Sequence, residues 1–186
     1  VDIFWFRRDL RLEDNTGLYH ALNGSRQIIP LLIFDKNILE DLSNKKDRRL
    51  EFIHRSLHKM QKILQEAGSS LFVLHGAFEH IWSTLAERLN IETVYANHDY
   101  EPYARERDER VKNLLEKSGA TFRTFKDQVI FEKDEVLKDD GTPYTIYTPY
   151  SNKWRELLTV DQLKSSPSED MLDRMYKMKP QDLPSL

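Results

Sequence analysis

Val1-Asp2-Ile3-Phe4-Trp5-Phe6-Arg7-Arg8-Asp9-Leu10-Arg11-Leu12-Glu13-Asp14-Asn15 is the stretch on which the fold turns. The apolar run over residues 1–6 reads as a strand covered on both faces. It breaks into the cations Arg7, Arg8 and Arg11 and the acids Asp9, Glu13 and Asp14. It then reaches Asn15, a residue type that opens helices. A strand that delivers a charged loop at its carboxyl end is where open α/β sheets place their sites.

Outward from this stretch, strands and helices alternate. A short helix over 15–22 ends at Asn23-Gly24, and a second strand covers 27–34. Pro30 is tolerable there only near the strand's start or on an open side. Asp47 opens a long helix whose apolar residues Leu50, Ile53, Leu57, Met60, Leu64 and Ala67 recur three and four apart, and Gly68 stops it. A third strand spans 71–74. Phe78, Ile81, Leu85 and Leu89 mark the next helix, and 93–96 is a fourth strand. Pro102 fits the first position of a helix that ends at Gly119, and 121–125 is a fifth strand. Such alternation predicts a doubly wound, Rossmann-like parallel sheet of five strands in the order 3-2-1-4-5, with helices on both faces. The order reverses between strands one and four, so a ligand crevice is expected there. Its lining should come from residues 6–8, 34–36 and 97–101.

After the fifth strand the pattern changes. Asp139-Asp140-Gly141 signals a turn, with a hairpin as one form of it. Thr148-Pro149 caps a short helix running to Leu158. From Thr159 onward, Ser165-Ser166-Pro167-Ser168, Pro180 and Pro184 read as linker. The expected division is therefore an α/β domain over 1–131 and a connecting segment over 132–186.

The 186 residues carry 28 basic and 31 acidic side chains, a net charge of -3. That balance argues against tight nucleic-acid binding through phosphates alone. The absence of cysteine excludes disulfides, thiolate metal sites and cysteine nucleophiles. No apolar run is long enough to span a bilayer, so a cytoplasmic protein without a membrane partner is expected.

Arg7-Arg8-Asp9-Leu10 stands where a dinucleotide fold would place its glycines, and no phosphate loop of the G-K-S/T kind is present. The arginines and acids of this loop can bind a ligand or simply pair with one another. A second cluster, Asn97-His98-Asp99-Tyr100-Glu101-Pro102-Tyr103-Ala104-Arg105-Glu106-Arg107-Asp108, is partly a surface ladder. Arg105 with Glu109, Glu106 with Arg110, and Asp108 with Lys112 are spaced i,i+4. Asp99 and Glu101 sit at the strand-to-helix turn. They either favour the helix amino terminus or hold the polar edge of a planar heterocycle. His54 and His58 are also i,i+4, but with no H-E-x-x-H context or third ligand they read as a solvated face. Arg48 and Arg49 open the same helix and can lean over the crevice. No nucleophile is nominated.

The strings WFRRDLRLEDN, NHDYEPYARERDERV and YTPYSNKWREL, in this order, resemble the amino-terminal half of the DNA photolyase and cryptochrome family. The resemblance runs from Val1 to about Leu158 and is greatest toward bacterial cyclobutane pyrimidine dimer photolyases. It implies an α/β antenna domain followed by an all-helical FAD domain that lies beyond this chain. The parent enzyme would use blue or near-ultraviolet light and FAD to split pyrimidine dimers in DNA. This chain alone would harvest light through an antenna chromophore, without being catalytic. Its partners would be its own helical FAD domain and, through the parent enzyme, damaged DNA, with weak or no DNA binding by itself. By position, Arg49, Asp99 and Glu101 match residues near the antenna of deazaflavin-type members, and Phe34, Asp35 and Lys36 match the flanking loop. With Phe6, Arg7 and Arg8 these form the candidate cofactor site. Tyr103 and Ala104 replace the Asn-Glu pair of folate-type members. A deazaflavin or flavin is therefore favoured over folate, and an empty site stays open. The alternatives are a cryptochrome photoreceptor fragment and a small nucleotide-binding α/β domain of universal-stress type.

Overall fold

The computed structural model describes residues 1–24, 26–36 and 48–183. Five strands form one parallel sheet in the order β3-β2-β1-β4-β5. They are β1 (Asp2–Phe6), β2 (Ile28–Asp35), β3 (Phe72–Gly76), β4 (Thr93–Asn97) and β5 (Thr121–Phe125). All five residues of β1 are buried, as a central strand requires. Pro30 sits one residue ahead of the β2–β3 ladder, which begins at Leu31 opposite Phe72, so its missing N–H falls where β2 is still open.

Successive side chains of a strand leave opposite faces of the sheet, and this divides the interior into two cores. Phe4 and Phe6 join Leu32, Tyr95 and the helices α1 (Thr16–Leu22) and α2 (Arg48–Glu66). Ile3 and Trp5 join Leu31, Val94 and the helices α3 (Phe78–Arg88) and α4 (Pro102–Lys117). Asn15 caps α1 by accepting the Leu18 N–H at 3.0 Å. Gly68 and Gly119 follow α2 and α4 with φ of +76° and +84°, a left-handed step that ends a helix and that glycine takes without steric cost. Asp47, expected to open α2, and Pro184 lie outside the described residues.

Beyond β5, the turn at Asp139-Asp140-Gly141 forms, with the Gly141 N–H donating to the Lys138 carbonyl at 2.9 Å. Among the described residues it joins no strands, so it is a turn and not a hairpin. The next helix, α5 (Tyr147–Leu157), starts one residue before Thr148, and its flanking residue is Ile146. Proline at the third position is tolerated because first-turn N–H groups have no partner inside the helix.

The segment read as linker is docked on the domain. Ser168 and Met175 are fully buried against the α1/α2 core and Leu172 nearly so. The Tyr176 N–H donates to the Ile28 carbonyl at 2.8 Å, and Ile28 bridges Met175 in parallel. Thr159 opens a 3-10 turn (Val160–Leu163) with a capping box to Gln162. That Thr-x-x-Gln spacing was legible in the sequence.

Candidate functional site

β1 stays paired with β2 as far as Phe6 opposite Leu32, but its ladder with β4 stops at Phe4 opposite Tyr95. The sheet therefore splits where the strand order reverses. The side chain of Arg7 fills the split. Its Nη1 donates to both carboxylate oxygens of Asp108, at 2.5 and 2.6 Å, and its Nη2 donates to the Asn97 carbonyl. Asp108, expected to join Lys112 in the surface ladder, is turned inward onto this arginine. A half-buried ion pair of this kind holds geometry more than it adds stability, but removing either partner strands a charge.

Asn97 is the hub beneath. Its Nδ2 donates to Asp9 at 2.7 Å and to Asn15 at 2.8 Å, while its Oδ1 accepts the Gly17 N–H at 2.8 Å. Asp9 also accepts the Arg7 N–H at 2.9 Å. Burial pushes the Asp9 carboxyl above its ordinary range, against the pull of those donors and of the Arg7 charge. On the far side of β4, Glu132 accepts from Tyr100 and lies 2.6 Å from His98 Nδ1. Burial and this carboxylate push the Tyr100 hydroxyl upward.

Over the split opens a cavity of about 630 Å³. That volume is in the range of small-molecule and cofactor sites. Its apolar walls include Trp5, Ile33, Phe52, Ile53 and Phe78. The guanidinium groups of Arg7 and Arg107 sit 5.1 and 4.8 Å from the Trp5 ring centre. Asp99 is 7% exposed, 3.6 Å from Arg8 and 3.8 Å from Arg107. Glu101 pairs with Arg8 at 2.6 Å in solvent. Glu101 flanks α4 without a side-chain cap bond, whereas Asp99 accepts the Glu101 N–H at 3.5 Å in addition to facing the two arginines. Tyr103 donates to Asp35 across the cavity, from the first turn of α4 to the end of β2.

Of the nine predicted site residues, Arg7, Arg8, Asp35, Arg49, Asp99 and Glu101 line this cavity. Phe6 and Phe34 do not. Strand alternation sends both into the α1/α2 core, and their neighbours Trp5 and Ile33 take the cavity face. Lys36 is exposed and is not part of the lining. Arg48 joins Arg49 in the wall, as the start of α2 leans over the crevice. Sequence reading missed Arg107, which is 5% exposed. The signal was present: Ala104, Arg107, Val111 and Leu115 are the buried stripe of α4, and a cation in an apolar stripe points at a partner. Among the described residues no group of three or more His, Asp or Glu can hold a metal. No described helix is long and apolar enough to cross a membrane.

The same architecture is found in known proteins. A deoxyribodipyrimidine photo-lyase of Synechococcus sp. is 38% identical over 153 residues, which covers 82% of this chain and 31% of that protein. The crystal structure of an archaeal photolyase from Sulfolobus tokodaii with two FAD molecules superposes with a TM-score of 0.72 at 31% identity, over 85% of this chain and 35% of that one. A bacterial class III photolyase from Agrobacterium tumefaciens gives 0.71 at 32% identity, over 84% and 31%. The chain thus spans 31 to 35% of the length of these relatives and corresponds to their amino-terminal α/β domain. A family model described as DNA photolyase matches residues 2–169, and the chain belongs to that family.

Proposed function

We propose that this chain is the light-harvesting domain of a deoxyribodipyrimidine photolyase and that the cavity above Trp5 holds its antenna chromophore. The observation that carries this reading is the buried Asp99 carboxylate set between Arg8 and Arg107 at the rim of an apolar cavity. A planar heterocycle with a polar edge needs such a site: flat apolar walls, and one fixed acceptor flanked by donors. Ring N–H groups would donate to Asp99, and ring carbonyls would accept from the arginines. The Arg7 side chain occupies the split in place of a glycine turn, which speaks against a pyrophosphate cradle there. A deazaflavin or flavin is favoured over folate because Tyr103, joined to Asp35, closes the side where folate-type members carry their Asn-Glu pair. In the Sulfolobus photolyase, a second FAD implies a light-harvesting cofactor. The whole protein would pass the absorbed energy to FAD in a helical domain, where reduced FAD splits pyrimidine dimers in DNA.

The test is the absorbance spectrum of the purified chain before and after denaturation, followed by titration with FAD, FMN, riboflavin and a deazaflavin. The reading expects visible or near-ultraviolet absorption that is released on unfolding, or saturable binding of one of these ring systems. Absence of both would overturn it.

A further inference from the structure

His54 and His58 stand one turn apart on α2, beside the buried stripe of Leu57, Met60 and Leu64. Their rings meet edge to face with centroids 4.2 Å apart, and their Nε2 atoms lie 3.0 Å from each other. The i,i+4 spacing brings the rings together. The contact brings two nitrogens that can each act as a lone-pair donor to within reach of one ion.

We propose that His54 and His58 form an open two-imidazole site for a divalent transition cation that accepts ligands at right angles, of the Cu(II) or Ni(II) class. The separation of the nitrogens is the argument. Metal–imidazole bonds of about 2.1 Å span about 3.0 Å when they meet at a right angle and about 3.4 Å at the tetrahedral angle. The observed 3.0 Å matches the right-angled case, which tetragonal Cu(II) and Ni(II) sites use. In the bound form each ring carries its proton on Nδ1, so both Nε2 lone pairs face the cation. The remaining positions are filled by water, since no third protein ligand stands nearby among the described residues. The neighbouring stripe anchors the helix in the core, so the backbone positions of the two histidines are fixed before binding.

Its place in the fold gives it a consequence. Arg48, Arg49, Phe52 and Ile53 of the same helix form one wall of the cavity. A cation bridging residues 54 and 58 staples the next turn and stiffens that wall.

The test uses the untagged, metal-free chain, titrated with Cu(II), Ni(II) and Zn(II) by calorimetry, with electron paramagnetic resonance of the Cu(II) form. One equivalent is expected to bind, with hyperfine coupling to two imidazole nitrogens and a raised melting temperature. His54→Gln and His58→Gln should each weaken binding roughly a hundredfold, since the second ligand then loses its intramolecular advantage. His80→Gln, at an exposed position on α3, should leave binding unchanged. Both test positions border solvent, so circular dichroism of each variant should match the parent. Equal affinity in the parent and both variants would overturn the site. Tighter binding of Zn(II) than Ni(II) would overturn its right-angled geometry.

Discussion

The backbone N–H of Gly17 donates to the side-chain oxygen of Asn97 at 2.8 Å, tying the start of α1 to the end of β4 across 80 positions of sequence. A β-carbon on residue 17 would lie 2.5 Å from that oxygen and 3.0 Å from the Phe4 ring. Gly17→Ala gains up to about 1 kcal/mol of helix propensity. It loses about 1–3 kcal/mol to overpacking and a similar amount if the Asn97 contacts open. A net loss of roughly 2 kcal/mol is expected in urea unfolding. An unchanged midpoint would show that the hub is soft.

Asp9 sits in the same hub with its carboxyl held above the ordinary value of 3.8 by burial. For an acid shifted this way, the protonated form favours the folded state. Its contribution is complete below 3.8 and is lost as pH rises through the higher folded value. Asp9→Asn removes this titration. The stability of the parent minus that of the variant should therefore fall as pH rises from below 4 toward neutrality. A difference that is flat or rises over that window would contradict the burial argument.

The docked tail should carry measurable stability. Ser168 donates to the Leu12 carbonyl at 2.7 Å and accepts the Asn15 N–H at 3.1 Å, both buried. Ser168→Ala is expected to cost about 1–3 kcal/mol by leaving these groups unpaired. Met175→Ala, at a fully buried position, should cost about 2–5 kcal/mol. Chemical denaturation of both variants checks this. Values near zero would mean that the tail only rests on the domain.

At the cavity, the two acids should separate by burial. Glu101→Ala breaks an exposed pair and should change stability by less than about 1 kcal/mol. Asp99→Ala removes the buried acceptor and should weaken a bound flavin or deazaflavin about ten- to a hundredfold, the worth of a hydrogen bond to a charged group. Fluorescence titration reads the affinity and thermal melting reads the fold. Loss of folding in Asp99→Ala with unchanged affinity in Glu101→Ala would return both acids to a purely structural role.

The expected strand order and crevice followed from the alternation of strands and helices, and the elements themselves from apolar runs, three-and-four spacing and glycine stops. Each of these signals acts within a turn or a strand. The arginine-rich loop and the Asp99 turn were legible for the same reason: charge concentrated where strands end. What only the tertiary structure decided is which side each residue faces and what lies opposite. Phe6 and Trp5 are equally apolar neighbours, and the sheet's alternation alone puts one in the core and the other beneath the cavity. Arg7 meets Asp108 over 101 positions, and Ser168 meets Leu12 over 156. No local pattern encodes such pairs, because each forms only after the sheet has brought distant segments together.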